Sequence, residues 1–184
     1  MSDAADRYRN VAEGFTRRAK AVPAEAWENP APCEGWVARD VVRHLVEWVP
    51  PFLAGGAEIA LPTGPSVETD PAQAWIVMSD AIQAILDDPR QANNEFSHPR
   101  AGRHRLDDAI MMFILGDVLV HTWDLARATD LDETLDAAEV ARMFDGLQGI
   151  DDMLRQSGQY GPKVDVGEGA DVQTKLVAFV GRHP

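Results

Sequence analysis

The sequence predicts an all-α protein, a bundle of amphipathic helices followed by an additional C-terminal helix and a short tail. Three observations carry this prediction. Apolar residues recur at spacings of three and four over long segments, proline and glycine punctuate the stretches between them, and no strand-like alternation extends beyond a few residues. Long helices joined by short or mid-length connections are typical of bundles. At 184 residues the chain is expected to form one domain, 1–184.

The helices are predicted in order along the chain, with a boundary signal at several of them. The predicted ranges are 3–22, 36–48, 70–88, 106–128, 137–155 and 171–180. Pro23 ends the first helix, and Pro50 and Pro51 are expected to kink or end the second. Asp70 followed by Pro71 marks the start of the third, as an N-cap and a first-turn proline. Residues 91–105 are predicted to form a polar loop, and residues 158–169 an extended, glycine-rich tail.

The amino-acid composition argues against several classes of binding partner. The chain has 30 acidic against 17 basic residues and a formal charge of −13, which argues against binding to nucleic acid or to anionic membranes. The N-terminal segment lacks the pattern of a signal peptide, and the longest apolar run, 109–115, is short for a membrane span. The single cysteine, Cys33, excludes a disulfide within the chain. A soluble, cytoplasmic protein is therefore expected.

The most informative stretch is the fourth predicted helix, LDDAIMMFILGDVLVHTWDLARA. From Ala109 to Val120 almost every residue is apolar. The polar stripe consists of Asp117, His121 and Asp124, which fall within roughly 60° of one another at about 100° per residue. A helix this apolar is predicted to be buried. Buried carboxylates and imidazoles are costly unless they are paired or hydrogen-bonded. The stripe therefore predicts partners from elsewhere in the chain.

His44 of the second predicted helix is the candidate partner. At about 100° per residue it falls within about 40° of Val37 and Trp48 on the apolar face, and it is expected to point inward. Asp117 and His121, spaced i, i+4, meet on one helix face. Two imidazoles and one carboxylate on facing helices form a three-ligand set with open coordination positions, as in catalytic metal sites. Zn²⁺ fits this set best, and Fe²⁺ and Ni²⁺ are also compatible with it.

Other interpretations of the same residues stay open. The Asp–His stripe could be a satisfied hydrogen-bond network without a metal. Asp124 could be an alternative ligand, a helix-end hydrogen bonder or, as we favour, a partner that orients a metal-bound histidine. Cys33 could be a small buried residue or a fourth, sulfur ligand. His98 and His104 are expected to be exposed, unless their loop brings one to the substrate. Core packing is expected of Trp36, Trp48 and Trp123.

Three segments resemble a known family. PCEGWVARDVVRHLVEW resembles the segment of DinB-like proteins that carries the first metal-binding histidine, and DVLVHTWDLARATDLD resembles the later segment with a carboxylate-x-x-x-His pair. The tail, YGPKVDVGEGADVQTKLVAFVGRHP, is similar to the C-terminal end of a bacterial branch of that superfamily. This branch is grouped with the N-terminal domain of mycothiol-dependent maleylpyruvate isomerase, and the resemblance covers nearly the whole chain.

The resemblance implies a DinB-like four-helix bundle, with an additional C-terminal helix and short tail, that holds a divalent metal through His44, Asp117 and His121. The characterised isomerase has glutamate at the position of Asp117 and a larger C-terminal domain. The implied activity is metal-dependent: a low-molecular-weight thiol, with mycothiol as the candidate, is activated for transfer to a small electrophile or for its isomerisation. Two alternatives are a hydrolase in which the metal activates water and a non-catalytic metal-binding stress or sensor protein.

The expected partner is a small-molecule substrate. Nucleic acid and membrane are not expected as partners, because the chain is strongly acidic and has no predicted span. A homodimer is left open. The side of the fourth helix away from the polar stripe carries Met112, Leu119 and Trp123, which could form a dimer contact or pack under the fifth helix.

Overall fold

The computed structural model describes residues 3–157 and 160–184, and it confirms the predicted helical bundle. The core lies between four long helices, α1 (Asp3–Ala21), α2 (Ala38–Ala57), α3 (Pro71–Asp87) and α4 (Leu106–Ala128). Helices α1 and α2 each pack against both α3 and α4, so each long helix has two neighbours. The smaller elements of the described residues are β1 (Glu95–His98), β2 (Gly102–Arg105), α5 (Ala137–Gln148), α6 (Asp151–Ser157), α7 (Val172–Phe179) and the helical turns Ala24–Glu28 and Pro89–Ala92.

Capping chemistry fixes the start of two helices where the sequence predicts it. The Asp70 side chain accepts a hydrogen bond from the backbone N–H of Gln73 at 2.9 Å, and Pro71 occupies the first helical position of α3. Asp171 caps α7 in the same way, accepting from the backbone N–H of Thr174 at 2.9 Å. Both starts were predictable because the cap satisfies a backbone donor that the helix itself leaves unpaired.

Helix α2 continues through two prolines. Pro50 and Pro51 were predicted to kink or end this helix. The prediction of an end is wrong, since α2 continues to Ala57. A proline in a helix interior lacks the N–H for the ladder and crowds the preceding turn, at a cost of about 3 kcal/mol. Val49 and Leu53 flank the prolines and are fully buried, and burial of such side chains stabilises by about 1.5–3 kcal/mol each. Tertiary packing therefore offsets the local preference.

The segment predicted as a polar loop contains a β-hairpin, so this prediction is wrong in part. Glu95–His98 and Gly102–Arg105 pair antiparallel, and four-residue strands are too short for alternation to stand out in a sequence. Phe96 anchors the hairpin: its ring is fully buried and lies 4.9 Å, centroid to centroid, from the ring of Phe52 on α2. Burial of one aromatic side chain against the bundle thus decides the structure of this segment.

The close approach of the hairpin to α2 gives a stability prediction at Gly56. A Cβ at this position would lie 2.0 Å from Cε2 of Phe96, whereas a Cβ at Gly55 would lie 3.5 Å from the nearest atom of His98. We expect Gly56→Ala to lower the free energy of unfolding by about 1–3 kcal/mol, because the buried ring must move. The matched control Gly55→Ala should not destabilise, since alanine is the better helix former by about 1 kcal/mol. Urea unfolding measures both variants, and equal stabilities would contradict the prediction.

Helix α4 has the predicted bounds and is mostly buried. By length and composition this helix is apolar enough to cross a membrane. From the sequence, no segment of the chain was expected to be long and apolar enough for that. The burial of α4 argues for a core helix instead, because 72% of its most apolar window lies inside the protein. Leu119 and Trp123, on the candidate dimer face, are each 2% exposed, and Met112 is 60% exposed. Packing within the chain therefore occupies most of that face.

One segment of α4 departs from regular α-helical geometry. Ile110–Leu115 has π-helical hydrogen bonding and ends directly before Gly116 and Asp117. Such wider turns are rare and frequently lie at functional sites. Here the wider turn immediately precedes the polar stripe of the helix.

The C-terminal part differs from its prediction at one point. The predicted helix 137–155 is two helices: α5 ends at Gln148 with Gly149 as its C-cap, and α6 begins at Asp151. Helix α5 packs against α7, and Leu176 and Val177 of α7 belong to the hydrophobic core of the bundle. Part of the predicted tail, 158–159, lies outside the described residues, and residues 161–167 lie in neither helix nor strand.

Candidate metal centre

Helices α2 and α4 bring the three predicted ligands together. The distance from His44 Nε2 to Asp117 Oδ2 is 3.1 Å, and the distance from His121 Nε2 to Asp117 Oδ1 is 3.4 Å. All three donor atoms lie within 4.8 Å of one another. Ligands that bind a tetrahedral zinc at about 2.0–2.2 Å lie about 3.3–3.6 Å from each other. The spacing therefore suits donors that share one cation, and the shorter carboxylate of Asp117 reaches both histidines.

Asp117 has a further partner that the sequence analysis missed. The indole Nε1–H of Trp48 donates to Asp117 Oδ2 at 2.8 Å. Trp48 follows His44 by one helical turn, so both side chains approach Asp117 from the same face of α2. The i, i+4 spacing of the two residues was a usable signal, but core packing is the commoner role of a tryptophan on an apolar face.

The second ring nitrogen of His121, Nδ1, is hydrogen-bonded to Asp124. Its Nδ1 lies 2.8 Å from Oδ2 of Asp124, a residue with no exposed surface. An ionised carboxylate only accepts hydrogen bonds, so His121 carries a proton on Nδ1 and presents Nε2 to Asp117 and His44. Trp36 stacks on the His121 ring, with centroids 5.8 Å apart and planes 19° apart. Asp124 thus occupies the outer, orienting position that the sequence analysis favours for it.

Arg182, near the C-terminus, contacts Asp124. Its role was not predicted from the sequence. Arg182 Nε donates to Asp124 Oδ1 at 3.1 Å, and its Nη2 donates to Asp124 Oδ2 at 2.9 Å. The same Nη2 lies 3.1 Å from Sγ of Cys33. Cys33, His121 and Asp124 form a second group whose potential ligand atoms all lie within 4.8 Å of one another. An isolated arginine near the end of a chain gives no pattern from which this contact could be predicted.

These contacts shift the pKa of each buried acid and base. Burial alone would raise the pKa of Asp117, but attraction and hydrogen bonding from His121 and His44 outweigh it and hold the pKa well below its usual range. Burial alone would lower the pKa of His121, but Asp117 and Asp124 outweigh it and raise this pKa to about 9. Without a metal, His121 is therefore an imidazolium between two carboxylates at neutral pH.

The candidate site is partly exposed. The side chains of His44 and Asp117 are 34% and 26% exposed, whereas that of His121 is 5% exposed. A separate surface cavity of about 340 Å³ is lined in part by Arg127 and by none of the three predicted ligands. Arg127 pairs there with Glu133 at 2.6 Å, so its charge is already compensated.

The two histidines of the predicted loop lie on the hairpin. His98 Nδ1 accepts a hydrogen bond from the backbone N–H of Arg100 at 3.2 Å, and His104 Nε2 lies 2.6 Å from the carbonyl oxygen of Ala101. Both side chains are half-buried, not exposed as expected. Their hydrogen bonds among the described residues are local, and these contacts do not join them to the three predicted ligands.

The chemistry of the donor set fits a divalent cation. Two imidazole nitrogens and one carboxylate oxygen match the ligand preferences of zinc and other borderline metals. The outer hydrogen bond from His121 to Asp124 is the arrangement that usually accompanies a metal-bound histidine. Partial exposure of His44 and Asp117 leaves room for a further ligand. That His44, Asp117 and His121 bind a metal stays a prediction.

Comparison with known proteins identifies the family. Residues 8–126 match the family described as the mycothiol maleylpyruvate isomerase N-terminal domain. The match spans the bundle through most of α4, so it includes all three predicted ligands and leaves Arg182 outside. Searches of curated proteins and of solved structures found no match. The match covers well over half of the chain and confirms the expected DinB-like fold. The chain therefore belongs to the mycothiol maleylpyruvate isomerase N-terminal domain family.

Proposed function

We propose that the protein is a divalent-metal-dependent enzyme that activates a low-molecular-weight thiol and directs it to a small electrophilic substrate. The observation that carries the proposal is the convergence of His44, Asp117 and His121, whose donor atoms lie within 4.8 Å of one another at a partly exposed place. Family membership supports the type of chemistry, because the family's description joins mycothiol with the isomerisation of maleylpyruvate. Mycothiol is therefore the first thiol to test.

Zinc is the metal that the donor set favours. Zinc accepts two imidazoles and a carboxylate without a geometric demand of its own and readily keeps a fourth position for substrate. Iron(II) also uses two histidines and a carboxylate, and nickel accepts imidazole, so metal analysis includes both. A divalent cation at these ligands would lower the pKa of a thiol bound to it and so supply a thiolate nucleophile at neutral pH.

The residues around the ligands hold them in place for this role. Trp48 fixes one oxygen of Asp117 by a hydrogen bond, and Asp124 fixes the tautomer of His121. The stacked ring of Trp36 covers His121, and it lies 5.2 Å from the ring of His44. Preorganised ligands lose little freedom when a cation binds, so the arrangement supports a stable resident metal.

The proposal is tested with full-length protein purified without a metal-affinity tag. We expect near-stoichiometric zinc, nickel or iron in the wild type, and loss of the metal in His44→Ala. His104→Ala is the matched control, because its hydrogen-bond partner is Ala101 and not a predicted ligand. Cobalt-loaded protein should then develop a sulfur-to-cobalt charge-transfer band when mycothiol is added, and metal-dependent turnover should follow with maleylpyruvate or another electrophile.

The other readings predict different outcomes of the same experiment. Metal-free wild type would contradict the proposal, and a loss of stability in metal-free His44→Ala would then favour a plain hydrogen-bond network, because His44 contacts Asp117. Bound metal without a thiol band, but with hydrolysis of esters or amides, would favour the hydrolase. Bound metal with no consumption of thiol or ester across a broad panel would favour a sensor.

The remaining expectations about the protein belong to this proposal. A single domain of residues 1–184 and a cytoplasmic location are supported by the shared hydrophobic core and by the single cysteine. The net charge of −13 supports a small molecule as the partner, in preference to nucleic acid or a membrane. Homodimer formation is measured by light scattering of the same preparation.

A further inference from the structure

The last turn of the chain folds back so that Arg182 reaches the bundle. After α7, Gly181 takes a left-handed conformation with φ of 90°, and the backbone N–H of Arg182 donates to the carbonyl oxygen of Val177 at 3.0 Å. A Cβ at position 181 would lie 3.1 Å from Cα of Gly161, so the turn requires glycine for both its conformation and its contact. The direction of Arg182 is therefore built into the backbone.

The guanidinium of Arg182 lies among groups that would otherwise suit a metal. It donates two hydrogen bonds to Asp124, at 3.1 and 2.9 Å, and its Nη2 lies 3.1 Å from Sγ of Cys33. Asp124 also accepts from His121, and Sγ of Cys33 lies 3.6 Å from Asp124 Oδ2. A thiol, an imidazole and a carboxylate are all zinc ligands, so Arg182 supplies a positive charge where a cation could bind.

We propose that Cys33, His121 and Asp124 form a second, latent metal site, and that Arg182 occupies it as an internal cation. This inference rests on the proposed function in one respect, namely that His121 serves the first site through Nε2. With Arg182 in place, Asp124 is fully paired, His121 keeps its proton on Nδ1, and the thiol of Cys33 stays away from a metal.

An empty second site has a consequence for the first site. A metal bound at the second site would displace the Nδ1 proton of His121 and with it the hydrogen bond by which Asp124 orients that ring. The bidentate geometry of arginine suits the carboxylate of Asp124, and this planar fork is specific to arginine.

Removal of the internal cation tests the proposal. We expect cobalt-loaded Arg182→Met, without any added thiol, to show a sulfur-to-cobalt charge-transfer band that the wild type lacks. The proton of the Cys33 thiol would pass to the buffer as the sulfur binds cobalt. The band should be absent from the double variant with Arg182→Met and Cys33→Ser. Circular dichroism confirms that each variant is folded.

The outcomes separate this proposal from the proposed function. A folded Arg182→Met protein that binds cobalt without a sulfur band overturns the latent site, whatever its affinity. A band that persists in the Cys33→Ser double variant also overturns it. A wild type that binds no cobalt, beside an Arg182→Met variant that binds it through Cys33, supports the latent site while contradicting the proposed function.

Discussion

Replacement of His121 by alanine is expected to lower the affinity for zinc by more than about 100-fold and to destabilise the metal-free protein by about 3 kcal/mol. Loss of the hydrogen bond behind a metal-bound histidine alone costs about 10- to 100-fold in affinity, so loss of the ligand should cost more. His121 also separates the carboxylates of Asp117 and Asp124, at distances of 3.4 and 2.8 Å. Breaking a buried ion pair by removal of one partner typically costs about 3–5 kcal/mol.

The stability effect is placed at the lower end of that range because both carboxylates keep other partners. Asp117 retains hydrogen bonds to His44 and Trp48, and its side chain is 26% exposed, whereas Asp124 retains Arg182. Affinity is measured by competition with a chromophoric chelator, and stability by urea unfolding of the metal-free protein.

The control for this variant is His104→Ala, which removes a half-buried histidine from the hairpin and should leave zinc affinity unchanged. Wild-type zinc affinity in a folded His121→Ala protein would exclude His121 as a ligand. Unchanged stability of the metal-free protein would show that the two carboxylates do not depend on the imidazolium.

The affinity for zinc is expected to rise about tenfold per pH unit between about pH 6 and pH 8 and to level off near pH 9. The metal binds neutral imidazole, and Asp117 and Asp124 raise the pKa of His121 to about 9 in the metal-free protein. One proton must therefore leave Nε2 for each metal bound. Calorimetry in two buffers of different ionisation enthalpy measures this release, and competition titrations measure the affinity.

The sign of the accompanying stability effect follows from the same pKa. A raised pKa means that protonated His121 stabilises the metal-free fold fully below the unfolded-state value of about 6.5, and that this contribution is lost as pH rises through about 9. Metal-loaded protein should lack this loss, since its Nε2 carries no proton. An apparent affinity that stays constant from pH 6 to pH 8 would contradict the assigned protonation.

Local sequence signals were sufficient to predict those helices whose formation depends on interactions between residues close in the chain. The apolar period of α4 and the cap–proline pair at Asp70 and Pro71 predicted elements that the structure confirms. The failures have a tertiary cause. Helix α2 passes through Pro50 and Pro51 because its flanking side chains are buried, and the hairpin forms around the buried ring of Phe96. Neither burial is visible in a window of neighbouring residues.

For the candidate site too, some features could be predicted from the sequence and others could not. By itself the sequence determined the stripe of Asp117, His121 and Asp124, because helical periodicity alone fixes which residues share a face. It also placed His44 on the apolar face of α2, from which His44 reaches Asp117. These inferences need only the repeat of a helix and the cost of burying polar groups.

Only the tertiary structure decided what surrounds the stripe. The π-helical turn of α4 lies directly before Asp117, and the indole of Trp48 donates a hydrogen bond to Asp117. Arg182 returns from the C-terminal turn and pairs with Asp124. Arg182 and Asp124 are 58 residues apart in the chain, and no local pattern links them. Contacts at such separations depend on how the helices pack, and packing is a property of the whole core.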